Sequence, residues 1–159
     1  HVKGQPYPKH SAEDNLNAVA HQFQVALSDC DVNGNQVTPG SAAMEWYKAC
    51  GWAENDDEDG SIASPATGCN AYWEGSKTDA NTGQGMWRMP TQRELMCMIM
   101  LRDDLKDGFT AFYPGDYWSS PNYYTEAWYT NMATGFTGAT NRNGGPLLKM
   151  NVRCVRDYH

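Results

Sequence analysis

A chain of 159 residues that is 40% hydrophobic is long enough for one domain with its own core and too apolar to be disordered. Its net charge of -7 opposes phosphate backbones and anionic headgroups, which excludes nucleic acid and membrane surfaces as partners and disfavours sulfated glycans. Proteins and neutral glycans remain as ligand classes, and no apolar run reaches the length of a membrane span.

The chain opens at His1 rather than Met, so it is expected to be a processed or excised piece of a longer parent. Residues 1–20, with Pro6 and Pro8 among polar residues, read as a tail or linker, and residues 21–159 as the domain. Phe23, Val25 and Leu27 recur at every second position, a strand pattern, and a turn follows at Asp31-Val32-Asn33-Gly34. Ser41 to Cys50 reads as a short helix stopped by Gly51. Residues 53–68 are expected to be a solvated loop, acidic from Glu54 to Asp59.

The strongest local signal is Thr91-Gln92-Arg93-Glu94, a capping box in which each end of the tetrapeptide satisfies an amide of the other. The helix it opens is apolar nearly all round through Leu95 to Leu101, so it is expected to be buried on most sides and to end by Gly108. Short strands then follow around Tyr117-Trp118-Ser119-Ser120 and Ala127 to Met132, with a turn at Gly144-Gly145-Pro146. In the last strand Leu148, Met150, Val152 and Cys154 share one face, with Arg153 on the other and Arg156 near the end. A strand, one or two helices and several antiparallel strands make an α+β domain, and 15 Gly and 8 Pro make it loop-rich.

The five cysteines lack the close pairing of a zinc site. Cys97, inside the apolar run, reads as a buried free thiol. Cys30, Cys50, Cys69 and Cys154 suit two disulfides of open connectivity and point to an oxidising compartment. Asp29, Asp31, Asn33 and Gly34 begin like a calcium loop, but Gly40 stands where a bidentate Glu is needed, so a polar turn is the expectation. No metal or cofactor is expected. The four histidines, at 1, 10, 21 and 159, lie mostly near the chain ends, no hydrolase or phosphate-loop motif occurs, and no catalytic constellation emerges. The chain is expected not to be an enzyme.

Four stretches in order, Trp87 to Leu95, Tyr117 to Ser120, Ala127-Trp128 and Val152 to Arg156, resemble a bacterial C-type-lectin-like family. Its members include C-terminal domains of collagen-like adhesins and tip proteins of pili, and its fold is related to that of formylglycine-generating enzymes. The resemblance covers about residues 41–157 and implies a C-type-lectin-like fold, two helices with a small antiparallel sheet, stabilised by disulfides. It implies Cys69–Cys154 as the first bond and Cys30–Cys50 as the second, with Cys50–Cys154 as the alternative. It also implies that Trp87, Trp118 and Trp128 are core pieces. The reactive cysteine pair of the related enzymes has no counterpart here, since that region holds only Cys154. The triplets that mark calcium-dependent sugar binding in animal lectins are missing as well.

From Asp116 to Gly145, Tyr, Asn, Thr, Ser and Gly fill 19 of the 30 positions, the composition of a recognition surface. The resemblance places a ligand surface in the same region. Asn122, Tyr123, Tyr124, Tyr129, Asn131, Thr134, Thr137, Asn141 and Asn143 are the expected contacts. The expected role is an extracellular adhesin or pilus-tip domain that binds a protein or a neutral glycan. The alternative is a structural module packing against other pilus subunits. Residues 118–143 also resemble the rewritten segment of variable proteins of diversity-generating retroelements, in which Asn, Tyr, Thr, Ser, Ala and Gly positions lie between fixed Trp and Phe.

Overall fold

The computed structural model describes residues 4–6, 22–54, 61–105, 111–123, 126–141 and 148–158, with the backbone alone at 121–123. The acidic stretch 55–60, Gly108 and the 144–146 turn lie outside the described residues, as does most of the expected tail. Within that tail, Gly4 donates its amide to Gly85 O and accepts from Asn70 Nδ2.

The elements run β1 (Phe23–Val25), β2 (Asp29–Cys30), β3 (Gln36–Val37), β4 (Met44–Glu45), α1 (Trp46–Cys50), α2 (Gly68–Ala71), α3 (Gln92–Met100), β5 (Asp116–Tyr123), β6 (Glu126–Asn131), β7 (Thr137–Asn141), β8 (Lys149–Met150) and β9 (Val155–Asp157). All strand pairs are antiparallel: β1 with β9, β2 with β3, β4 with β8, and a three-stranded sheet β5-β6-β7. This is the α+β, C-type-lectin-like architecture, with a disulfide between Cys69 and Cys154.

The C-terminal segment is the axis of the fold. Ala26 N donates to Cys154 O and Cys30 N to Val152 O, so residues 26–30 run against 152–154. On the other side Arg88 and Val155 exchange both backbone hydrogen bonds. The segment buries both of its faces: Val152 and Cys154 as their alternation predicts, and Arg153 on the opposite face, under the Phe112 ring and against Asp29. The sequence alternation put Arg153 opposite the core, and there it meets a second buried layer instead of water.

Two apolar clusters flank this axis. One gathers Trp46, Tyr72, Trp87, Trp118 and Val152 around the disulfide. Their indole N–H groups are satisfied inside it: Trp46 donates to Ser119 O, Trp118 to Met44 O and Trp87 to Thr82 O. The other cluster packs Leu95, Met98 and Ile99 of α3 onto Tyr117, Met132, Val25 and Val155.

The α3 capping box forms as expected: Thr91 Oγ1 accepts from Glu94 N, and Glu94 Oε2 accepts from Thr91 N at 2.9 Å. Burial on most sides does not hold. Only one face meets the sheet, and Met96 and Met100 project into solvent, Met100 being 76% exposed. Cys97 is correspondingly half-buried rather than buried. The helix closes at Leu101, before Gly108. The stop at Gly51 is as expected, with a left-handed backbone (φ 102°) and an amide donating to Lys48 O and Tyr47 O.

Candidate ligand-binding site

Of the residues expected to make contact, Asn122, Tyr123, Tyr129, Asn131, Thr137 and Asn141 lie in the sheet β5-β6-β7. Register pairs Tyr129 with Trp118 and Gly138, and Thr130 with Tyr117 and Thr137. Paired residues share a face. One face therefore holds Trp118, Ala127 and Tyr129 toward the tryptophan cluster, while Tyr117 and Thr130 on the other lie toward α3. Trp128 shares this second face with Ala139, past the end of the helix cluster, and is half-buried rather than a core piece. The pairing slips between Trp118 and Asn122, where Ser119 Oγ donates to Trp128 O and Ser120 N to Pro90 O.

The turn from Asn131 to Phe136 is closed by backbone bonds from Asn131 N to Phe136 O and from Gly135 N to Asn131 O, and by two side chains. Asn131 Oδ1 accepts from the amides of Ala133 and Thr134, both at 3.0 Å, and from Thr134 Oγ1 at 3.2 Å. Its Nδ2 donates to Asp116 Oδ1 at 2.9 Å. Thr134 Oγ1 in turn accepts from Phe136 N at 3.2 Å, and Gly135 takes φ +75°. Asn131 and Thr134 thus shape the turn.

The turn delivers Phe136 to the surface, 60% exposed. Its ring stands 6.2 Å from that of Tyr129, tilted by 52°. Both rings lie over Gly138, where a Cβ would come within 3.0 Å of the Phe136 ring and 3.3 Å of the Tyr129 hydroxyl. The missing side chain is what makes room for the aromatic pair.

The expected residues do not share one face. Tyr129 and Asn131 lie with Phe136, whereas Thr137 and Asn141 fall on the other face beside Thr130 and Glu126, the two threonine hydroxyls 3.0 Å apart. Asn141 is exposed and opposite Glu126. The Asn122 and Tyr123 backbones pair with Ala127 and Glu126, and Tyr124 and Asn143 lie outside the described residues. Phe136 was not among the expected contacts, because an aromatic between polar residues reads as scaffold. The Gly135 turn before it and Gly138 two positions later were the available signal.

The buried charges belong to the scaffold. Arg153 Nε donates to Asp29 Oδ1 at 2.8 Å and its guanidinium sits 4.4 Å over the Phe112 ring. Asp29 Oδ2 accepts from the Tyr117 hydroxyl at 2.8 Å and from Gly40 N at 3.2 Å. Burial pushes the Asp29 carboxyl above its usual range against the pull of Arg153. Arg88 bridges Glu94, at 2.7 and 2.9 Å, to Asp157 at 2.7 Å. Asp31 closes the 31–35 turn through the amides of Asn33 and Asn35, the polar-turn role expected of it.

Among the described residues one group of metal-ligating atoms converges, the sulfurs of Cys30, Cys69 and Cys154. Two of these are joined as the Cys69–Cys154 disulfide, the first pairing expected. The Cys30–Cys50 bond and its alternative Cys50–Cys154 are not formed: Cys30 and Cys50 are buried free thiols. The backbone ladder between 26–30 and 152–154 carries Cys30 Sγ to 3.5 Å from Cys154 Sγ, and that sulfur is already taken by Cys69.

A family model described as the Lcl C-terminal domain matches residues 29–156, from the first residue of β2 into β9. The chain belongs to the Lcl C-terminal domain family. This family is C-type-lectin-like and occurs in bacterial surface and adhesin-type proteins. The matched span contains both partners of the Asp29–Arg153 pair, the disulfide and the whole of the sheet. Among curated proteins none matches the chain significantly. Among the described residues of this Lcl C-terminal domain, no helix is long and apolar enough to cross a membrane.

Proposed function

We propose that this domain is the extracellular ligand-binding domain of a bacterial adhesin or pilus-tip protein, recognises a protein or neutral glycan, and performs no catalysis. The observation that carries the reading is the exposed Phe136 ring beside Tyr129 over Gly138, on a turn pre-shaped by Asn131. Aromatic faces supply contact area with little rotamer freedom to lose, on the apolar face of a sugar or on a side chain. The acidic balance favours neutral or basic ligands. The buried carboxylates Asp29, Glu74 and Glu94 are engaged with Arg153, Tyr72 and Arg88, which suits a scaffold better than a reaction centre.

The test is binding of the domain to arrays of neutral glycans and extracellular proteins, followed by Phe136→Ala and Tyr129→Ala on whatever binds. A central aromatic anchor contributes about 2 kcal/mol, so roughly a 30-fold loss of affinity is expected. Unchanged binding in both variants would remove the site. Wild-type-like pilus assembly in the same variants separates this reading from the structural-module alternative. Diversification by a retroelement is the finer form of the proposal. It predicts that gene copies from different isolates differ at adenine-rich codons within about 118–143, near a template repeat. Evenly spread differences would refute it.

A further inference from the structure

Cys30 Sγ lies 3.5 Å from Cys154 Sγ, the sulfur already bonded to Cys69. The Sγ atoms of all three fall within 4.8 Å of one another, and none of the three residues is exposed. The contact is built into the backbone, because Ala26 N and Cys30 N donate to Cys154 O and Val152 O and fix the two segments against each other. On the far side Met89 Sδ sits 3.7 Å from Cys69 Sγ, so an unreactive thioether borders the sulfurs there.

We propose that Cys30, Cys69 and Cys154 form a thiol–disulfide exchange site in which Cys154 bonds to either of the other two. The Cys30 thiol loses its proton and the thiolate attacks Cys154 Sγ. The Cys30–Cys154 bond forms, the Cys69–Cys154 bond breaks, and Cys69 leaves as a thiolate that takes up a proton. One disulfide is present before and after, so neither oxidant nor reductant is consumed. In the closed fold, burial and the Asp29 and Asp31 charges push the Cys30 thiol up, which keeps the thiolate scarce and the Cys69 form in place. Local opening that admits water starts the exchange. It hands the anchor of the last strand from α2 to β2 and releases α2, while β9 stays tethered.

The experiment is to hold the oxidised protein at about pH 8.5, near the ordinary thiol pKa, in sub-denaturing urea. Samples are acid-quenched, alkylated and mapped as non-reduced peptides. The expected result is a growing Cys30–Cys154 peptide matched by alkylated Cys69, with the number of free cysteines fixed at the three of the starting state, Cys30, Cys50 and Cys97. The Cys30→Ser variant should keep Cys69–Cys154 throughout. In a Cys69→Ser variant made in an oxidising compartment, Cys154 should be recovered bonded to Cys30. A wild-type map that stays at Cys69–Cys154, or that shows Cys50 or Cys97 joining Cys154 instead, overturns the proposal whether or not Cys69→Ser folds.

Discussion

Replacing Arg153 by Met tests how the axis of the fold is held. The guanidinium is wholly buried, donates to Asp29 Oδ1 at 2.8 Å and covers the Phe112 ring, and Asp29 is itself almost completely buried. Removing one partner of such a pair strands a buried charge and costs about 3–5 kcal/mol, whereas replacing both by groups of similar shape costs far less. Arg153→Met is therefore expected to lose about 3–5 kcal/mol at pH 7, and Asp29→Asn/Arg153→Met clearly less than the sum of the two single changes. The pH dependence identifies the mechanism. Burial already holds the Asp29 carboxyl above its usual range, and losing Arg153 raises it further. A carboxyl whose folded value lies above its unfolded value, about 3.9, contributes stability fully present below that value and lost as pH rises through the folded one. The Arg153→Met deficit should thus be greatest at neutral pH and narrow toward pH 4. Urea unfolding of the oxidised proteins across that range measures it. A loss under about 1 kcal/mol, or one independent of pH, would refute the reasoning.

Thr91→Ala removes the N-cap acceptor of α3 and should cost about 1–2 kcal/mol in the same assay, with the Arg88–Glu94 pair left in place. Gly68 has φ +54° and a Cβ there would lie 2.3 Å from Lys48 O, so Gly68→Ala brings backbone strain and a clash of about 1–3 kcal/mol each. Because Cys69 follows directly, thiol titration in denaturant should find more than three free cysteines in part of that variant's population. Burial raises the Asp157 carboxyl, but the Arg88 hydrogen bonds and charge outweigh this and hold it below its usual range. Its contribution is present above the unfolded value of about 3.9 and lost as pH falls through the folded one, so Asp157→Asn should flatten acid unfolding below about pH 4.

What the sequence disclosed was local or carried by the family resemblance. The Thr91–Glu94 box and the Gly51 stop are written in adjacent residues, and their geometry follows from backbone hydrogen bonding alone. The Cys69–Cys154 bond came with the resemblance. What the sequence hid depends on which segments meet. Cys30 lies closer in the chain to Cys50, and only the pairing of 26–30 with 152–154 brings it to Cys154. Strand alternation puts Arg153 on an outer face, but Phe112 and Asp29, distant in the chain, cover that face. Trp118 and Trp128 look alike as core aromatics, yet the register puts Tyr129 opposite Trp118 and turns Trp128 to the other side. The same register divides the expected contact residues between two faces.

These placements separate what stabilises the domain from what it presents. The last segment is fixed by four independent links: the ladder to 26–30, the exchange of hydrogen bonds with Arg88, the Asp29–Arg153 pair and the disulfide. None of them involves residues 136–141, which lie at the outer strand of the sheet and are half-buried or exposed. Side chains at the exposed Phe136 and Asn141 can therefore change at little cost to the core, since surface substitutions usually stay within about 0.5 kcal/mol. Gly138 is the exception, because a Cβ there would crowd the Phe136 ring at 3.0 Å and the Tyr129 hydroxyl at 3.3 Å. A ligand surface that varies around a constant glycine is what this division of labour permits.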